Sequence, residues 1–159
     1  MPGAILVVMF LALLAAGPAP AADTEEPLIL AAVQKFFDAL SAGDPAAVRA
    51  VVLPGGLYTA VESTRDGNGR VGRFSVDESF SRSVPVGLHE HMWSPRVVRR
   101  GQLATVTGPY EFRKSGVTTH CGVDVFTLVK TEGTWRIASF AWTAEPDACP
   151  ELKAGFSLP

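Results

Sequence analysis

The chain has 159 residues, 47% of them hydrophobic and 19% charged, with a formal net charge of −2. That is the length of one domain, and enough to bury a core without a metal or disulfide framework. The mild acidity argues against a nucleic-acid partner, which would call for a basic patch; the densest basic cluster, Arg96, Arg99 and Arg100, reads as a strand end.

Residues 1–22 read as an export signal. Ala4 to Ala16 is a 13-residue apolar run, too short for a spanning helix of about 20 residues but suited to the apolar stretch of a secretory signal. Ala19-Pro20-Ala21-Ala22 supplies small residues for cleavage after Ala21 or Ala22. Met1-Pro2-Gly3 contributes no Lys or Arg, so an uncleaved anchor is the alternative. The expectation is a periplasmic or secreted domain over residues 23–150, free of the membrane once the signal is removed, with an irregular tail over 151–159.

The mature chain opens on Asp23-Thr24-Glu25-Glu26-Pro27, where Thr24 or Asp23 can cap a helix. Ile29, Val33, Phe36 or Phe37, and Leu40 recur at helical spacing, and Gly43 ends the helix. Asp44-Pro45 starts a short second helix to about Val51, which Pro54-Gly55-Gly56 stops. Leu57 to Glu62 reads as a strand and Arg65 to Gly69 as a turn; Asp66-Gly67-Asn68-Gly69 lacks the spacing of a calcium loop. Ser75 with Glu78 resembles a capping box opening a third helix that ends near Ser83. Four strands follow: Gly87–Arg99 with a bulge at Pro95, Leu103–Lys114, Val117–Thr131 and Thr134–Thr143. Short turns between them predict antiparallel hairpins. Helices segregated on one face of such a sheet make an α+β domain.

The element order, together with Gly108-Pro109-Tyr110-Glu111-Phe112, His120-Cys121-Gly122-Val123-Asp124-Val125-Phe126, Leu128-Val129-Lys130 and Gly133-Thr134-Trp135-Arg136-Ile137, resembles the nuclear transport factor 2-like superfamily. The likeness is to its SnoaL-like and putative lumazine-binding bacterial members, over roughly residues 28–143. It implies a cone-shaped, curved antiparallel sheet of cystatin-like fold, N-terminal helices on the concave face, a pocket, and pairing of two copies through the sheet. It implies no particular reaction, because this fold hosts enzymes, binders and association modules. Unlike ketosteroid isomerase, the first helix offers Phe36 and Phe37 but no tyrosine.

A two-residue turn at Glu132-Gly133 would set Thr131 opposite Thr134. Asp124, Phe126, Leu128, Trp135, Ile137, Ser139 and Ala141 then share one face, with His120 and Thr143 extending it. Large apolar residues near the turn give way to small and polar ones farther along, which suits a cone packed at one end and hollow at the other. Phe140 and Trp142 fall on the other face with Val123 and Val125, a second apolar surface fit for a homodimer.

Asp124 and His120 are the catalytic candidates, one as general base of raised pKa and the other as polariser, about 13 Å apart along the strand. Phe36, Tyr58, Trp93, Tyr110 and Asp124 are the expected pocket lining, for a small apolar or aromatic molecule. His89 and His91 point the same way and with His120 would make a three-nitrogen zinc set; the alternative is ordinary surface histidines. Cys121 and Cys149 are read as a disulfide suited to an oxidising compartment. No cofactor is expected. Three functions stay open: an exported binding domain; an isomerase, cyclase or dehydratase using Asp124; and an interaction module whose cone is filled by side chains.

Overall fold

The computed structural model describes residues 24–64, 68–81 and 84–155. The expected signal, the turn at residues 65–67 and the expected end of the third helix near Ser83 fall outside them. No helix among the described residues is long and apolar enough to cross a membrane.

Helix α1 (Glu26–Ala42) forms because its apolar residues repeat every three to four positions, and Ile29, Val33, Phe36, Phe37 and Leu40 are all buried. Its start differs from the expectation: no side chain caps it. The carboxylate of Glu25, at the cap position, is instead held by Lys130 Nζ and Trp135 Nε1 at 2.7–2.8 Å. Gly43, at φ 66°, ends α1 in the left-handed region. Asp44 then accepts from the amides of Ala46 and Ala47, opening α2 (Pro45–Val51).

Strand β1 (Val52–Ser63) passes straight through Pro54-Gly55-Gly56, which does not act as a stop. An unpredicted strand, β2 (Gly69–Ser75), folds back on it. Ser75 makes no side-chain cap, and α3 is one turn, Val76–Ser79. The expected strand over 87–99 is two, β3 (Leu88–Met92) and β4 (Arg96–Arg100). Both pair with β5 (Leu103–Lys114), end to end. The break lies at Trp93-Ser94-Pro95, opposite Gly108-Pro109. Neither proline has an N–H for a ladder, and Ser94 turns the chain at φ 47°. Strands β6 (Val117–Thr131) and β7 (Thr134–Ala144) complete the set. Part of the expected irregular tail is helical: Cys149–Gly155 form α4, which buries Leu152, and residues 156–159 lie outside the described residues.

The seven strands form one curved sheet in the order β2-β1-β7-β6-β5-β3, with β4 also on β5. Six of the pairings are of known direction: five are antiparallel, while β1 runs parallel to β7. The sheet is not closed into a barrel. The helix α1 packs across its concave face, and the core there joins Ile29, Val33, Phe36 and Phe37 to Phe126, Leu128, Trp135 and Ile137.

The last hairpin holds the decisive departure. Thr131 does face Thr134, and the pairing runs undisturbed to Leu128 opposite Ile137. Thr127 then pairs with Ser139, so Ala138 is an extra residue on β7. Such a bulge moves every later side chain to the opposite face. Ser139, Ala141 and Thr143 go to the convex side. Phe140 and Trp142 come to the concave side, opposite Phe126 and Asp124.

Candidate functional site

A cavity of about 380 Å³ opens on the concave face beyond the core. It exists because the sheet residues become small there. Ala60 and Ala144 line it, and Gly122 has no side chain to put into it. One wall is a row of aromatic rings, one from each successive strand. Phe74, Tyr58 and Phe140 stack at centroid distances of 5.0 and 5.1 Å, and Phe126 carries the row on into the core 5.4 Å from Phe140, all with planes within 22° of parallel. Trp142 continues the wall, 5.5 Å from Phe140. Phe36 of α1 meets Phe140 edge-on at 4.8 Å and closes the narrow end. Phe80, Val84, Pro85 and Leu88 cover the opposite side.

The polar side-chain groups in this cavity are few: Glu62, Glu90, His120, the Trp142 indole N–H and the two tyrosine hydroxyls. His120 stacks on Phe112 at 5.1 Å and meets Tyr110 edge-on at 5.8 Å. Burial holds its imidazole below the ordinary value, against the opposing pull of Glu62, so it is neutral at pH 7. Burial likewise raises Tyr58, while a hydrogen bond with Ser79 works the other way.

Tyr110 lies across Gly122 and donates its hydroxyl to the carbonyl of Thr143 at 2.7 Å. The neighbouring ladder makes room for it. Cys121 and Glu145 exchange both backbone bonds, so the next such pair would be Val123 with Thr143. There the Val123 amide donates to the Thr143 side-chain hydroxyl at 3.0 Å, freeing the carbonyl for Tyr110. A side chain at position 122 could not fit: a Cβ there would sit 1.9 Å from the Thr143 carbonyl oxygen.

Behind this tyrosine lies the site's acidic centre. Asp124 is the one fully buried ionisable acid among the described residues, 1% exposed, and its Oδ2 meets no hydrogen-bond donor. Its hydrogen-bonding partner is the carboxyl of Glu90, reaching in from β3. Two carboxyls can bond only if one keeps a proton to donate. Burial, then the charge of Glu90, raises Asp124 well above the usual carboxylate range. Burial pushes Glu90 up to about 7, although its bond with Asp124 pulls it down. The same two acids, together with burial, raise the Tyr110 hydroxyl.

The expected site residues are therefore rearranged. Phe36, Tyr58, Tyr110 and His120 line the cavity; Trp93 does not, because it sits in the β3–β4 turn with its amide on the Pro109 carbonyl. Asp124 does not line it either. Glu90 stands in front of it and is the acid that a bound molecule would meet. In the sequence Glu90 lies between His89 and His91. Its partnership with Asp124 joins strands that are not neighbours, and no spacing along the chain reveals it. His89 and His91 face away from Glu90 on the exposed side of β3, whereas His120 pairs with Phe112 on the concave side. The three histidines do not converge, and no metal-binding group occurs among the described residues. Cys121 and Cys149 are joined in a disulfide with Cα atoms 5.0 Å apart, which ties α4 to β6. Cys121 also pairs with Glu145.

The family profile described as "Putative lumazine-binding" matches residues 24–143. The chain belongs to this family. Solved structures described as NTF2-like or of cystatin-like fold share its fold. A protein from Novosphingobium aromaticivorans, described as NTF2-like with a cystatin-like fold, superposes with a TM-score of 0.60 at 15% identity, covering 84% of this chain and 90% of that one. A "putative dehydratase" of the NTF2-like family from Streptomyces avermitilis gives 0.59 at 16% identity, covering 76% and 96%. A ketosteroid isomerase-like protein from Erwinia carotovora gives 0.56 at 20% identity, covering 77% and 97%. No functionally curated protein shows significant sequence similarity to the chain.

Proposed function

We propose that this protein is an exported domain that binds a small, flat, apolar or aromatic molecule in the cone cavity. The observation that carries this reading is the cavity itself: about 380 Å³, walled by stacked rings, with a few polar groups at defined places. Cavities of this size and character take small ligands. The family description names lumazine, a fused heterocycle whose flat shape suits a wall of parallel rings. Lumazine is therefore the first probe. Calorimetric titration should give saturable binding that Trp142→Ala weakens at least about tenfold. Failure of lumazine and of every other flat ring compound tried to bind at any concentration would overturn the reading.

An enzymatic reading has its own support in the paired carboxyls, since a dehydratase or isomerase needs an acid able to give and take a proton near neutral pH. In that reading Asp124 is the base, working through Glu90. Asp124→Asn should then abolish turnover while leaving the circular dichroism spectrum unchanged; activity that survives this change excludes it. An interaction module with a filled cone is the least favoured reading, because the cavity is open.

The reading includes a periplasmic or secreted location and a homodimer. The convex face carries Leu57, Val61, Val71 and Val125, each at least 36% exposed, around the small residues Thr59, Ala141 and Thr143. A second copy would cover that face.

A further inference from the structure

A ligand in this cavity would meet the carboxyls of Glu62 and Glu90 and, among the described residues, no lysine or arginine. Arg70 is engaged with Glu62 at 2.7 Å, and Arg49 donates to the Phe80 carbonyl. Asp124 lies directly behind Glu90, buried and without a cation. Tyr110, which could have offered a hydroxyl donor to a ligand anion, spends it on the Thr143 carbonyl. His120 is neutral for want of exposure. An anionic group entering here would lose its water and gain acidic neighbours, which weakens its binding.

The carboxyl pair suits another kind of group. One proton is spent on the bond between the two carboxyls, so Glu90 presents an acceptor oxygen to the cavity, and a second proton makes that carboxyl a donor as well. The edge of a lactam, an amide or a phenol can meet either form. The rings of Tyr58, Phe140 and Trp142 hold the flat body of such a molecule.

We propose that the Glu90–Asp124 pair is the specificity-determining element of the cavity, selecting uncharged ring compounds with a hydrogen-bonding edge and turning away carboxylates and phosphates. The inference rests on the cavity being a binding site.

The test compares two probes of one shape, 2-naphthol and 2-naphthoate, by calorimetric titration at pH 7, where the first is neutral and the second anionic. The wild-type protein should bind 2-naphthol at least about tenfold more tightly. Glu90→Gln removes one acidic group and keeps a donor and an acceptor, so it should narrow that preference mainly by strengthening naphthoate binding. Equal affinities in the wild type, or a preference for naphthoate, overturn the inference while leaving the cavity a binding site. An unchanged preference in folded Glu90→Gln also overturns it. Binding of neither probe overturns the binding reading and this inference with it. The wild-type comparison stands alone if the variant does not fold.

Discussion

Tyr110 reaches over Gly122 to the main-chain carbonyl of Thr143, two strands away, and so fixes the floor of the cavity with a side chain where a backbone bond would ordinarily run. The glycine is required by close approach, since a Cβ would lie 1.9 Å from the carbonyl oxygen. The expected consequence of Gly122→Ala is a loss of more than about 3 kcal/mol in stability. Tyr110→Phe, which leaves only an unpaired carbonyl, should cost about 1–3 kcal/mol. Urea unfolding curves measure both, and a Gly122→Ala protein as stable as wild type would contradict this account.

The acid pair sets a pH dependence of definite sign. Both carboxyls bind protons more tightly in the folded protein than their ordinary values of 4.5 and 3.8. Their contribution is complete below those values and falls as pH rises through about 7, where Glu90 titrates in the folded state. Melting temperature should therefore be lower at pH 8 than at pH 5, on the order of 5 °C for a domain of this size. Glu90→Gln should flatten the profile. Glu25 and Glu111 are held below the usual range by Lys130 and by Thr118 respectively, so their effect appears only in more acidic solution and with the opposite sign.

Joining Cys121 to Cys149 closes a loop with a separation of 28 residues. In the chain-entropy model a loop of that length contributes about 3–4 kcal/mol. Reduction, or Cys149→Ser, should lower the melting temperature by roughly 10 °C. Amide exchange should quicken first in α4, whose attachment otherwise rests on Leu152 and on the ion pair of Lys153 with Glu111 at 3.2 Å.

The convex face gives a prediction about assembly. Val125 is 43% exposed at its middle, between Ala141 and Thr107. If two copies meet there, Val125→Asp should convert the dimer to monomer in light scattering after gel filtration, with the fold retained. A wild-type protein that is monomeric at all concentrations would remove this surface from consideration.

What could be read from the chain followed the strength of its local signals. The first helix, the Asp44 start of the second and the three long strands from Leu103 onward carry clear periodicity and turn residues, and each appears nearly where expected. Strand β2 escaped because Arg70-Val71-Gly72-Arg73 has no buried side: its order comes from pairing with β1, a tertiary cause. The division of β3 from β4 came from two prolines meeting across strands, which is a relation between distant positions. The site was legible in its parts. His120, Tyr58 and Tyr110 stood out by chemistry, but Glu90 did not, because its significance lies in a partner 34 positions away on another strand.

Ala138 changes what a single residue's gain or loss can mean in this fold. The strand after it carries two alternating texts, aromatic in one phase and small in the other, and the bulge decides which of them faces inward. Deleting that one residue would turn the cavity wall outward without altering any side chain in it, and would bring the small residues of the convex surface into the cone. One position thus governs the lining of the cavity and the texture of the outer surface at once.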